Sequence, residues 1–243
     1  FGSQRLNRSF DEGKSWKAIS PDLSYNLPNG DVPFSTITTI AESPLSFEII
    51  WIGTDDGKVQ RTTDGGAKWV DVSEGLPAYR WISEVHASSH DPSTAYVSLN
   101  GYRFDEFVTY VYKTTDFGKT WVSVKGNLPD DVVNIVVQDP IQPEILYAGL
   151  DHGSYISFNN GKEWHLLNNI PNIASYDMVI HPRDLELVVA THGRSIYVLD
   201  VTAFHELVPR INESTTLFSL SDMRYSSRWG AQSVDYRDPF EPN

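Results

Sequence analysis

Apolar and polar positions alternate with a period of two along most of this chain, in short runs interrupted by turn residues. That alternation marks strands that bury one face. One set of runs is STITTIAESP (35–44), ISEVHASSHDP (82–92), VVNIVVQDP (132–140) and YDMVIHP (176–182). A second set follows each of these: IIWIGTDDG (49–57), TAYVSLNG (94–101), ILYAGLDHG (145–153) and ELVVATHG (186–193). A third run, such as KVQRTTD or SYISFNN, then leads into an octapeptide. Sustained helical spacing is absent, and only VTAFHELV (201–208) suits a turn or two of helix.

The octapeptides are SFDEGKSW (9–16), TTDGGAKW (62–69), TTDFGKTW (114–121) and SFNNGKEW (157–164). Each reads Ser or Thr, any residue, Asp or Asn, any residue, Gly, two variable residues, Trp. Successive tryptophans lie 53, 52 and 43 residues apart. A short polar side chain two residues before Gly suits a tight connection, where it binds nearby backbone N–H groups and Gly takes positive φ. Asp11, Gly13, Trp16, Asp64, Gly66, Trp69, Asp116, Gly118, Trp121, Asn159, Gly161 and Trp164 are therefore read as structural, with the tryptophans packing toward a neighbouring sheet.

Four short antiparallel strands per repeat of about 40–50 residues predict an all-β protein built of β-propeller blades. Full blades are expected at about 34–80, 81–131 and 132–172, flanked by partial blades at 1–30 and 175–203. The 1–203 region is thus an open arc. Because an arc leaves sheet edges and faces uncovered, either the two partial blades merge to close a four-bladed ring or the chain is the C-terminal part of a larger propeller. The start at Phe1 without an initiator Met and the resemblance given below favour the second, with upstream blades as its partner. Residues 204–243 lose the pattern and are expected to form an extended tail or linker, anchored by Leu217, Phe218, Tyr225 and Trp229.

The octapeptide resembles the Asp-box of the bacterial neuraminidase repeat. The segments NGDVPFSTITTIAESP, GTDDGKV, LNGYRFDEF and ATHGRSIYVLD resemble a narrower group, the large bacterial sortilin-like or repeat-type "glycosyl hydrolase" propeller proteins. That resemblance implies the propeller fold and an extracytoplasmic location, in the periplasm or at the cell surface. It specifies no activity, because the Asp-box is shared by sialidases, xyloglucan hydrolases, sortilins and photosystem-assembly factors.

Composition narrows the function. Of 243 residues, 19 are Lys or Arg and 32 are Asp or Glu, a formal net charge of −13. Such a surface repels nucleic acid and anionic lipid. The absence of Cys removes thiol catalysis, disulfides and Cys-ligated zinc. No run reaches the ~18 apolar residues of a membrane helix. His86 and His90 fall on a strand and its turn rather than on a helix, so no metal site is expected, and no cofactor motif occurs. The sequons at Asn7 and Asn212 are common by chance and carry no weight in the bacterial protein that the resemblance implies.

In a propeller, the turns joining second to third strands gather at one mouth of the central channel. Here they bring together Asp55, Asp56, Tyr102, Arg103, Asp151, His152, His192 and Arg194 as candidate ligand-binding residues. This mixture suits a polar ligand: a peptide, a protein or a glycan. A non-catalytic binding module is one reading. The other is a fragment of a xyloglucanase- or sialidase-like glycoside hydrolase whose paired carboxylates would be Asp55 or Asp56 with Asp151, or Asp105 with Glu106, completed by further blades. The Arg-Ile-Pro motif of sialidases does not occur.

Overall fold

A computed structural model describes residues 3–27, 34–211 and 213–219. The first ribbon pairs β1 (Asn7–Arg8) with β2 (Lys17–Ala18). Three four-stranded antiparallel sheets follow in chain order. These are β3 (Ile37–Ser43), β4 (Ser46–Thr54), β5 (Val59–Thr62) and β6 (Val70–Asp71), then β7 (Trp81–Ala87), β8 (Ala95–Gly101), β9 (Glu106–Thr114) and β10 (Val122–Ser123). The third contains β11 (Val133–Gln138), β12 (Leu146–Leu150), β13 (Gly153–Ser157) and β14 (His165–Leu166). A three-stranded sheet, β15 (Ser175–His181), β16 (Glu186–Thr191) and β17 (Ile196–Asp200), comes last. The sheets stand in a propeller arrangement, with first strands β3, β7, β11 and β15 side by side around the channel.

Each interface between blades holds its own apolar cluster. Trp51, Val59, Ile82 and Leu99 join the first full blade to the second. Tyr96, Val111, Val136 and Leu146 join the second to the third. Ile145, Tyr147, Met178 and Leu187 join the third to the last sheet. These strands are buried on both faces, which accounts for continuous apolar runs such as those of β8 and β12.

The octapeptide chemistry recurs four times. The Ser or Thr hydroxyl donates to the Asp or Asn (Thr114 to Asp116, 2.8 Å) and accepts the N–H of the Gly (Gly118, 2.8 Å). The Asp or Asn in turn accepts an N–H four residues on, at 2.8–3.0 Å in all four turns. The tryptophan then ties blade to blade. Trp69, Trp121 and Trp164 donate their indole N–H to the carbonyls of Ile19, Val72 and Val124 in the preceding unit, at 3.0, 2.7 and 3.0 Å. Gly161 must approach just as closely, since a Cβ there would come 2.7 Å from the Val124 carbonyl, and its φ of +80° also favours glycine.

Trp16 departs from the expected packing. It is 55% exposed, and its indole donates to Gly13 of its own turn at 3.1 Å, because no described sheet precedes it. At the other end Val179, Ile196 and Val198 lie exposed on the outer face of the last sheet. The tail opens with the short helical segment that VTAFHELV suits. Residues 202–207 form a helix, α1 (Thr202–Leu207), whose His205 Nε2 lies 2.8 Å from Oδ2 of the buried Asp139. Leu217 is 84% exposed and anchors nothing, and Phe218 is largely exposed too. Tyr225 and Trp229 lie outside the described residues.

The turn carboxylates carry a pH signature. Hydrogen bonds from the Thr120 hydroxyl and N–H, and from Thr114, hold Asp116 down to about 2 from 3.8. A depressed native value means that the unfolded chain binds the proton first. The stabilisation is therefore present above about pH 4 and lost as pH falls toward 2. Thermal unfolding between pH 5 and 2 should show this decline, and Asp116→Asn should flatten part of it.

Candidate functional site at the channel mouth

The first strands β3, β7, β11 and β15 all carry a bulge near their start. The extra residues are Thr38, Ser83, Asn134 and Tyr176. In two blades this side chain is a structural bridge. Thr38 donates to the Ile82 carbonyl at 2.7 Å and Ser83 to the Val133 carbonyl at 2.8 Å, each in the next blade. The pattern breaks in the next two. Asn134 turns its amide to Asp151 (2.9 Å), and Tyr176 is 54% exposed.

At this break lies a cavity of about 300 Å³, lined by Trp81, Asn100, Tyr102, Asn134, Asp151 and Tyr176, together with Ser83 and Val132. The turn between β8 and β9 is built differently from its counterparts. A short 3₁₀ segment, Tyr102–Phe104, raises Tyr102 beside the opening, with Asp105 taking a left-handed φ of +57° to return the chain. Arg103 lies over the Trp81 ring at 4.0 Å and donates to the Tyr102 hydroxyl at 3.2 Å. Tyr102 and Trp81 are thereby held as a wall. Burial, with the nearby Asp151 and Tyr102, raises the Tyr176 hydroxyl above its ordinary value, so it stays protonated. Asn100 is nine-tenths buried, and its Oδ1 has no partner among the described residues.

Of the residues that the sequence nominates, Tyr102 and Asp151 line the cavity and Arg103 supports its wall. His192 is exposed with its ring 5.3 Å from that of Tyr176. His152 projects outward, its ring Nδ1 3.1 Å from Asp131, and Arg194 is exposed in the last turn, away from the lining. Asp55 and Asp56 have different work. Both are buried: Asp55 accepts the N–H groups of Phe34 and Thr36 (2.5 and 2.7 Å), and Asp56 that of Tyr25 (2.8 Å) and the Thr54 hydroxyl (2.5 Å). Neither lines the cavity. Asp151 is its one lining carboxylate among the described residues.

Trp81, Asn100, Asn134 and Tyr176 were not nominated. The available signal was the register of the repeat: aligned first strands put Thr38, Ser83, Asn134 and Tyr176 at one position, and the last two do not fit its structural task.

A second cavity, of about 250 Å³, lies further along the channel. The residue after each bulge is Thr39, Glu84, Ile135 or Asp177, and all but Thr39 line this space, with His86. Burial pushes the Glu84 carboxyl up to about 7, against the hydroxyl that Thr39 donates to it at 3.2 Å, and the charge of Asp177 adds to the rise. Burial also takes His86 down to about 4, so it is neutral at neutral pH. No group of three or more metal-ligating side chains is found among the described residues. None of its described helices is long and apolar enough to cross a membrane.

No family model and no curated protein matches this chain. Solved structures do. The chain is similar to the GH74 enzyme of Niastella koreensis, with a TM-score of 0.61 and 14% identity over 80% of this chain and 32% of that one. It is similar to an ancestral GH74 enzyme, with a TM-score of 0.61 and 18% identity over 78% of this chain and 25% of that one. A GH74 xyloglucanase from Xanthomonas campestris gives 0.52 and 13%, over 68% and 29%. At these identities the likeness shows the propeller fold. The chain spans between a quarter and a third of the length of each.

Proposed function

We propose that this chain is a glycan-binding part of a glycoside-hydrolase-like propeller, and that the mouth cavity between the second, third and last sheets holds the sugar. The observation that carries this reading is the combination of aromatic rings and hydrogen-bonding groups in one opening. Trp81, Tyr102 and Tyr176 offer flat apolar surfaces for the C–H face of a pyranose, while Asp151, Asn100 and Asn134 face its hydroxyls. A cavity of about 300 Å³ has room for one sugar ring. The GH74 likeness supports a carbohydrate over a peptide or a protein. The exposed Val179, Ile196 and Val198 support a place within a larger propeller whose further blades cover them. The sortilin-like resemblance adds an extracytoplasmic location. Calorimetric titration of soluble oligosaccharides into the wild type and Tyr102→Ala tests the site: binding lost with Tyr102 supports it, and equal binding by the two overturns it.

A hydrolytic reading is favoured by the inner cavity. Glu84, protonated near neutrality, could give its proton to the leaving glycosidic oxygen, while Asp177 takes one from the attacking water. That reading expects release of reducing ends from a glycan and its loss in Glu84→Gln. Unchanged release in the variant removes Glu84 from the chemistry.

A further inference from the structure

The one charged side chain that lines the mouth cavity among the described residues is an acceptor, the Asp151 carboxylate. Asn100 Oδ1 is buried and receives no donor. The Asp151 carboxylate receives the Asn134 amide on one oxygen, which leaves most of its accepting capacity open. Ser83 gives its hydrogen to the Val133 carbonyl, and the Tyr102 oxygen accepts from Arg103 while keeping its own hydrogen. To the Asp151 carboxylate a sugar hydroxyl brings one hydrogen and no charge, whereas an ammonium group brings three hydrogens and a positive charge. The aromatic rings point the same way, because their faces attract cations. The chain already uses them so, with the Arg103 guanidinium 4.0 Å from the centre of Trp81 and 5.8 Å from that of Tyr102. Arg103 occupies the Trp81 side, which leaves the end formed by Asp151 and Tyr176 for a second positive group. A net charge of −13 draws cations toward the molecule and repels uronic acids and sulfated sugars.

We infer that the glycan recognised at the channel mouth carries a free amine: an unacetylated hexosamine residue, its ammonium group on Asp151, its ring against Tyr102 and Tyr176. This inference rests on the glycan-binding reading and names its substrate class. A lysine side chain would bring the same ammonium group on a slender stem, with no ring to cover the aromatic wall and no hydroxyls to meet the Asn100 and Asn134 amides. The sugar uses all of these groups together.

The test is calorimetric titration of the whole chain at pH 6 and low salt with four probes: a fully deacetylated glucosamine oligomer, its N-acetylated counterpart of equal length, a cello-oligosaccharide and tri-lysine. The deacetylated oligomer is expected to bind about tenfold or more tighter than either neutral oligomer, the increment of a charge-assisted hydrogen bond. In Asp151→Asn, with its fold checked by circular dichroism, the ratio should collapse to about one. In the wild type the ratio should also shrink as salt is raised. Equal or tighter binding of a neutral oligomer overturns the amine and leaves the glycan reading standing. Binding of no oligosaccharide overturns both. A preference that persists in Asp151→Asn comes from the acidic surface elsewhere and overturns the site. Tri-lysine binding as tight as that of the deacetylated oligomer overturns the sugar.

Discussion

Trp164→Ala is expected to destabilise the chain by about 3–5 kcal/mol, the usual cost of deleting a large buried aromatic side chain. Trp164 is 3% exposed and sits in the cluster that joins the second and third blades, with Val124, Leu128 and Leu146. Its indole N–H bonds the Val124 carbonyl at 3.0 Å, and Asn127 brackets its backbone with bonds of 2.6 and 3.1 Å. Truncation would thus open a cavity at a blade interface and leave the Val124 carbonyl without its buried donor. Trp16 occupies the same octapeptide position but is largely exposed, so Trp16→Ala should change stability by less than about 1 kcal/mol. Urea unfolding followed by circular dichroism measures both. A cost below about 1 kcal/mol at Trp164 would mean that the tryptophan does not join the blades.

Tyr102→Ala is expected to weaken oligosaccharide binding about thirtyfold, equivalent to about 2 kcal/mol, as loss of a central aromatic anchor does. The ring borders the cavity on a turn shaped by its own 3₁₀ segment and is half-exposed, so its removal takes away stacking surface without touching a blade core. Arg194→Ala is the comparison: it lies on the same side of the molecule but outside the cavity lining, and binding should persist unchanged. A loss of affinity in both variants, or in neither, would move the site away from the cavity.

The fold was legible because each blade repeats the same local chemistry. The octapeptide encodes its turn in all four copies through Ser or Thr, Asp or Asn, and Gly, and in three of them its Trp reaches a carbonyl one blade back. The site was only partly legible. Tyr102 and Arg103 could be read because no turn requires them. Asp55 and Asp56 looked equivalent to Asp151, yet burial turns them into anchors for residues 25, 34 and 36, a role fixed by distant chain segments. Asn134 and Tyr176 sit at bulges, and a bulge is invisible to simple alternation: it places two residues opposite one and re-aims a side chain. Glu84 was passed over for the same reason. It reads as an ordinary outward residue on β7, and only the channel geometry buries it.

The account rests most heavily on the mouth cavity as the place where sugar binds. Aromatic ¹H–¹³C spectra of tyrosine-labelled protein, titrated with a glucosamine or cello-oligosaccharide, read that place directly once Tyr102→Phe and Tyr176→Phe assign the two signals. The account predicts that Tyr102 and Tyr176 shift together and saturably, while the buried Tyr147 of the next blade interface stays fixed. Saturable binding that leaves both cavity tyrosines unmoved would contradict it.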